Sequence, residues 1–156
     1  MAVTTLKDLH DTLATGDRVL GLDVGAKTIG LALSDPTRTV ATPLETIRRR
    51  KFSEDLIRLK GIITEHRVRA LVVGLPINMD GSEGPRAQSV RQFAANCAEA
   101  IDLPIAFWDE RLSTAAVTRV LLDADRSRKR RSELVDKMAA SFILQGALDF
   151  LRAAES

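Results

Sequence analysis

The fold of this chain is predicted by one stretch near its start, VLGLDVGAKTIGLALSD, residues 19–35. It contains two nearly continuous apolar runs, 19–25 and 29–35, which are joined by a short turn that contains glycine. Apolar runs of this kind are typical of strands that are covered on both faces. The stretch therefore predicts two neighbouring strands at the centre of a sheet.

Outward from these strands, the chain alternates between strand and helix patterns. Further strands are predicted near 42–47, at ALVVGLP (70–76) and at PIAFWDE (104–110). Apolar periodicity and capping residues predict five helices: 4–15 ended by Gly16, one from Ser53, one from Pro85, one from Ser113 or Thr114 to about Leu122, and 133–152 after a Ser132 cap. This order predicts an α/β fold, a five-stranded mixed sheet with helices on both faces.

The length and composition are those of one globular domain. The 156 residues are 45% hydrophobic and 28% charged. No apolar run approaches the roughly 20 residues that span a bilayer, and the first residues lack the apolar core of a signal peptide. We therefore expect a cytoplasmic protein without membrane contact. Cys97 is the only cysteine, which excludes an internal disulfide, and its helical position predicts a packed core thiol.

The positive charge is concentrated in two runs, although the net charge is only +2. The runs are Arg48, Arg49, Arg50 and Lys51, and Arg126, Arg128, Lys129, Arg130 and Arg131. Runs of like charge are usually solvated surface. Two of them beside a site rich in carboxylates favour contact with a phosphate backbone instead.

Asp23 interrupts the first apolar strand. Strand interiors are depleted in Asp, and a buried carboxylate without compensation is costly. An arginine, a set of backbone N–H groups or a metal ion would compensate it. Alternatively, Asp23 caps the turn at Gly25.

Two further acids are predicted near the same core. Glu110 ends the strand PIAFWDE beside Asp109, and because side chains alternate along a strand, only one of this pair is expected to face a site. A solvated strand end is the alternative for Glu110. Asp136 shares a predicted helical face with Ala140, Ile143, Ala147 and Phe150, so it is expected to point toward the protein body. Its alternative role is to stabilise the helix dipole.

Taken together, Asp23, Glu110 and Asp136 indicate a site for hard divalent cations. Carboxylate oxygens without His or Cys partners suit Mg²⁺ or Mn²⁺. Two such ions can activate a water and stabilise the leaving oxygen of a phosphodiester. The three acids therefore predict a two-metal nuclease site.

Four stretches together resemble the YqgF family, whose members are similar in fold to Holliday-junction resolvases and are regarded as nucleases of pre-16S ribosomal RNA. They are GLDVGAKTIGLALSD (21–35), VVGLPINMDGSEGPRA (72–87), DERLSTAAV (109–117) and SRKRRSELVDKMAASFILQGALD (127–149). The resemblance implies a ribonuclease H-like domain at 18–152, preceded by an N-terminal helical extension at 1–17. It also implies a metal-dependent hydrolase that takes part in 5′-end maturation of the precursor RNA.

The resemblance also implies roles for individual residues. Asp23, Glu110 and Asp136 would bind the metal, and Asp109 would be an auxiliary acid or would orient the others. The loop from Gly74 through Gly81 and Gly84 would bring its backbone close to a phosphate. The residues expected to contact nucleic acid are Lys27, Asn78, Arg86, Arg111, Arg128, Lys129, Arg130 and Arg131. Thr28 stands where the family commonly has arginine, which removes the substrate contact expected there.

Two alternatives remain open from the sequence, and a third is disfavoured. The same chemistry would serve a resolvase of branched DNA, and the fold without catalysis would serve an RNA-binding ribosome-assembly factor. A phosphotransferase of the sugar kinase type needs two such domains, and 156 residues are too few for both. The sequence does not indicate an oligomeric state.

Overall fold

The computed structural model describes residues 3–112 and 129–155, with the side chains of residues 3–112 and 135–155. The described strands are β1 (Val3–Thr4), β2 (Arg18–Val24), β3 (Thr28–Ser34), β4 (Ala41–Arg48), β5 (Val68–Leu75) and β6 (Ile105–Asp109). The described helices are α1 (Leu6–Asp11), α2 (Phe52–Glu65), α3 (Pro85–Ala100) and α4 (Lys129–Glu155), with a 3₁₀ helix at Glu110–Leu112.

The described strands form one mixed sheet in the order β1-β6-β5-β2-β3-β4. Strands β2, β3 and β4 are antiparallel neighbours, whereas β5, β6 and β1 continue the sheet in parallel with β2. The predicted count of five strands is wrong by one. The missed strand, β1, has two residues, which is too short for any periodicity to appear in the sequence.

Each face of the sheet buries its own core, which confirms helices on both faces. One core contains side chains such as Leu22, Ile29 and Val73, with Leu59 of α2 and Phe93 of α3. The other contains side chains such as Val72 and Trp108 against Ile143 and Leu144 of α4. Cys97 is buried in the first core, as predicted, and burial raises the pKa of its thiol to about 12.

Glycines of the sheet allow α4 to lie directly on the strands. A Cβ built on Gly21 would lie 2.7 Å from Cβ of Leu144, and one on Gly74 would lie 2.4 Å from Cδ1 of Ile143. At Gly30 the contact is with the helix backbone, because a Cβ there would lie 2.1 Å from the carbonyl oxygen of Asp136. A larger side chain at Gly21 or Gly30 would therefore require α4 to move, whereas at Gly74 the end of the Ile143 side chain would have to move.

Several predicted helix boundaries are wrong. Helix α1 ends at Asp11, so Gly16 does not end it and instead adopts φ +90° in the following turn. Helix α2 begins at Phe52, one residue before Ser53. Helix α4 already includes Lys129, the first residue described after 112, so Ser132 lies inside the helix and is not its N-cap. The predicted helix from Ser113 to Leu122 lies outside the described residues.

The N-terminal segment packs as part of the domain. Strand β1 pairs with Ile105 and Ala106 of β6, and Leu9 of α1 is fully buried in the core beneath α4. The nuclease domain predicted at 18–152 thus shares its core with the extension predicted at 1–17. Among the described helices, none is long and apolar enough to cross a bilayer.

Candidate active site

The three predicted acids lie on the face of the sheet that α4 covers. Asp23 of β2 is the direct cross-strand partner of Gly30 in β3. On its other side, the preceding residue Leu22 pairs with Val73 of β5, so Asp23 lies beside Gly74. Paired residues extend to the same face of a sheet. Because built Cβ atoms on both glycines would meet α4, the Asp23 carboxylate also points to the α4 face.

Asp23 is buried and has a cation beside it. The residue is 3% exposed, and Nη2 of Arg86 lies 3.6 Å from its Oδ1. Arg86 belongs to the first turn of α3, and half of its side chain is exposed. Of the three compensations that the sequence left open, the structure therefore shows an arginine.

Glu110 is placed by the turn after β6. It begins the 3₁₀ helix, is 3% exposed, and its Oε2 lies 3.2 Å from a Cβ built on Gly74. Trp108, two residues earlier, belongs to the core under α4. Thus Glu110 is the member of the acidic pair that enters the site. Its carboxylate lies next to Gly74, the β5 residue beside Asp23.

Asp136 is half-buried on α4, at the point where the helix backbone touches Gly30. Thr28 Oγ1 donates a hydrogen bond to Oδ2 of Asp136. The predicted face is correct for Ala140, Ile143 and Ala147, which are buried. Phe150 stays 51% exposed, although its ring centroid lies 6.0 Å from that of Trp108 in β6. The position that departs from the family pattern, Thr28, therefore contacts a predicted metal ligand.

Asp109 is directed to the rim and bound to Arg111. Nη2 of Arg111 lies 2.8 Å from Oδ2 of Asp109, and this hydrogen-bonded cation holds the pKa of the carboxyl below its usual range. Nη1 of Arg111 also donates to the carbonyl oxygen of Asn78 at 3.5 Å. Arg111 therefore links the end of β6 to the loop that follows β5.

The donor set suits a hard cation, but the described side chains do not form a closed metal cage. All three acids are oxygen donors on one face, which fits the ligand preference of Mg²⁺ or Mn²⁺. Within residues 3–112 and 135–155, no group of three His, Cys, Asp or Glu side chains converges closely enough to bind one ion. The hydrogen bond from Thr28 and the ion pair with Arg86 occupy oxygen atoms of two of these acids.

Comparison with known proteins identifies the family. A family model described as "RuvX: Holliday junction resolvase" matches residues 17–150. The chain belongs to the RuvX family. RuvX is the YqgF family that the four sequence motifs indicated, so that prediction is confirmed.

Relatives within the RuvX family match the chain over nearly its whole length. A protein of Paramagnetospirillum magneticum, named as a candidate pre-16S rRNA nuclease, is 60% identical over 149 residues, 96% of each chain. A Rhodobacter capsulatus protein of the same name is 63% identical over 146 residues, 94% of this chain and 92% of the relative.

Solved structures confirm the ribonuclease H-like, resolvase-type fold. RuvC of Thermus thermophilus, solved in complex with a Holliday junction substrate, has a TM-score of 0.56 at 15% identity and covers 88% of this chain and 96% of its own. The yeast mitochondrial resolvase Ydc2 has a TM-score of 0.52 at 12% identity and covers 96% of this chain and 85% of its own. Family and fold together support the predicted class, a nuclease acting on nucleic acid.

The structure brings together some of the RuvX residues predicted to contact nucleic acid. Arg86 and Arg111 border the acids, whereas Lys27 and Asn78 are exposed on the flanking turns. Arg128 lies outside the described residues, and for 129–131 only the helical backbone is described. The space that a Cβ on Gly74 would need is filled by Ile143, whereas a Cβ on Gly81 or Gly84 would meet only a side-chain atom at 3.7 Å; the approach of this loop to a phosphate stays a prediction.

Two site contacts were not predicted from the sequence. The hydrogen bond from Thr28 to Asp136 joins residues that are 108 positions apart. Arg49, one member of a basic run, donates from Nη1 to the carbonyl oxygen of Gly25 at 2.6 Å. The departure of Thr28 from the family motif was the only sequence signal for the first contact, and the second had none.

Proposed function

We propose that this RuvX chain is a divalent-metal-dependent nuclease that hydrolyses phosphodiester bonds in structured RNA, at the 5′ end of pre-16S ribosomal RNA. The observation that carries the proposal is that Asp23, Glu110 and Asp136, which come from separate elements, lie at the face of the sheet on which α4 packs. The names of the relatives supply the substrate.

The three carboxylates are the residues that would bind Mg²⁺ or Mn²⁺. When bound, such ions lower the pKa of a water and neutralise charge on the phosphate. Asp23 lies near the end of β2, and Glu110 directly follows β6. Asp136 is placed by α4, whose backbone contact at Gly30 sets its distance from Asp23. Precise placement of this kind is what a nuclease site requires of its protein scaffold.

Neighbouring side chains would serve the same reaction. Arg86 forms an ion pair with Asp23. Because its guanidinium is half-exposed, it would also contact a phosphate bound at the same site. Thr28 orients Asp136 by donating a hydrogen bond to one carboxylate oxygen, which leaves the other oxygen available for a ligand. Asp109 keeps Arg111 at the rim, where the guanidinium would contact the substrate backbone.

A resolvase of branched DNA is the second candidate. The description of the family and the Holliday junction complex of the RuvC neighbour favour it. Both candidates use the same acids, so the substrate alone distinguishes them.

Cleavage of matched substrates tests the proposal. Wild type and Asp23→Asn would be incubated with an RNA that carries the precursor 5′ end, the DNA of the same sequence and a four-way DNA junction, each with Mg²⁺, Mn²⁺ or EDTA. We expect metal-dependent cutting of the RNA that the variant loses. Asp102→Asn, which changes an exposed acid far from the site, is the matched control.

Two outcomes would contradict the proposal. Preferential cutting of the junction would assign the chain to DNA resolution. If wild type cuts no substrate with either metal but binds RNA tightly, the chain is an assembly factor without catalysis.

A further inference from the structure

The basic run at residues 48–51 begins next to the acids. Strand β4 ends at Arg48, which is the direct cross-strand partner of Thr28, the residue that donates to Asp136. Directly paired residues have Cβ atoms about 4.5–5.5 Å apart and extend to the same face. Ile47 belongs to the core of the opposite face, so Arg48 extends toward the α4 face, where the acids lie.

Arg49 makes structural contacts through both its backbone and its side chain. Its backbone N–H donates to the carbonyl oxygen of Lys27 at 2.9 Å, and Nη1 donates to that of Gly25 at 2.6 Å. Its guanidinium lies over the ring of Phe93, 5.2 Å from the centroid. These contacts attach the run to the turn between β2 and β3, directly after Asp23.

The next residues are also fixed in position. The backbone N–H of Arg50 donates to Oδ1 of Asp55 at 3.1 Å, and Asp55 is 4% exposed. The backbone of the run is therefore anchored at both Arg49 and Arg50. A binding surface that is already ordered loses little conformational entropy when a ligand binds.

Four cations at this corner have exposed side chains. They are Lys27, Arg48, Arg50 and Lys51, which we name the basic corner. Glu54 is an exposed acid in the first turn of α2. A set of Lys and Arg side chains along one edge suits the phosphate backbone, which carries charge without sequence information.

We propose that the basic corner binds the phosphate backbone of the RNA strand next to the carboxylates. This inference rests on the proposed function, because RNA as the ligand is taken from it. Arg86 and Arg111 border the acids at the loop after β5, on the β5 and β6 side, whereas the basic corner borders them on the β4 side. A strand that crosses the site would then contact cations before and after the acids.

The test removes two positive charges from the basic corner and compares that variant with one that loses two positive charges elsewhere on the surface. Arg50→Gln with Lys51→Gln is the test variant. Lys60→Gln with Arg69→Gln is the control, since Lys60 is exposed further along α2 and Arg69 is exposed near the start of β5, at the sheet end remote from Asp23. Affinity is measured by fluorescence anisotropy in EDTA, with a labelled RNA hairpin that has a single-stranded 5′ tail and with the DNA hairpin of the same sequence.

We expect the test variant to bind RNA at least about tenfold more weakly near 0.1 M salt. The slope of log affinity against log salt should be shallower by about 1.4, because each lost contact to a single strand removes about 0.7. The control variant should match wild type. Glu54→Gln should bind more tightly than wild type, a gain that misfolding cannot produce.

Three results would overturn the proposal: an unchanged affinity and salt slope in the test variant, an equal loss in the control variant, or a loss confined to the DNA hairpin. Failure of the nuclease is detected separately, by incubating the same proteins and RNA with Mn²⁺. Weakened binding in the test variant supports the basic corner even if wild type does not cut. If the test variant binds RNA as tightly as wild type, the proposal for the basic corner fails even when wild type cuts the RNA normally.

Discussion

Replacement of Gly30 by alanine tests whether the contact between α4 and the sheet sets the position of the third acid. The new Cβ would lie 2.1 Å from the carbonyl oxygen of Asp136 and 2.4 Å from its carbonyl carbon. Ordinary contacts of a Cβ begin at 3.4 Å, more than 1 Å longer than the contact with the oxygen, and the obstacle is helix backbone, which cannot rotate away as a side chain can. Helix α4 must therefore shift by about 1 Å at Asp136.

The overpacking should reduce both the stability of the protein and the rate of cleavage. Overpacking of a core costs about 1–3 kcal/mol, and we expect Gly30→Ala to fall at the upper end. A displacement of about 1 Å in a catalytic group reduces the rate by about 100-fold. Gly61 is the matched control, because it is exposed in α2 and a Cβ built there meets nothing within 4 Å. Gly61→Ala should stabilise the protein by about 0.8–1 kcal/mol, since alanine favours the helix.

Urea denaturation measures both changes, and RNA cleavage under folded conditions measures the displacement of Asp136. The reasoning is refuted if Gly30→Ala unfolds at the wild-type urea midpoint and cleaves at the wild-type rate. Loss of stability with full activity would show that α4 shifts without moving the acid.

Other changes test single contacts of the site. Arg86→Gln should increase the Mn²⁺ affinity of the protein about fivefold, because it removes the cation that competes for buried Asp23, and an ion pair with a half-exposed arginine contributes about 1 kcal/mol. Arg91→Gln on the same helix should leave the affinity unchanged. Calorimetric titration with Mn²⁺ compares the two variants. Thr28→Val should weaken Mn²⁺ binding and cleavage by roughly tenfold, whereas Thr28→Ser should retain both, because only the hydroxyl orients Asp136. The Cys97 thiol should react with a maleimide at pH 8 only after unfolding, because burial raises its pKa to about 12; rapid labelling of the folded protein would contradict this.

Local patterns were sufficient to predict most elements of the fold. The continuous apolar runs placed β2 and β3 within one residue of their actual bounds, and Pro85 correctly marked the start of α3. Helix ends were predicted less well, because they depend on contacts from outside the helix. The strand β1 escaped prediction because its two residues pair only with β6, about 100 positions away.

For the site, the sequence by itself was sufficient to propose which acids would bind the metal. An aspartate inside an apolar strand, an acidic strand end and an acid on an apolar helix face are costly or uncommon choices, so Asp23, Glu110 and Asp136 stood out without a structure. Only the tertiary structure decided their partners. Arg86 reaches Asp23, Thr28 reaches Asp136, and α4 rests on Gly30 because the sheet register and helix packing bring distant residues to one point. Periodicity reports which face a side chain occupies, but it carries no information about which residue of another element lies opposite.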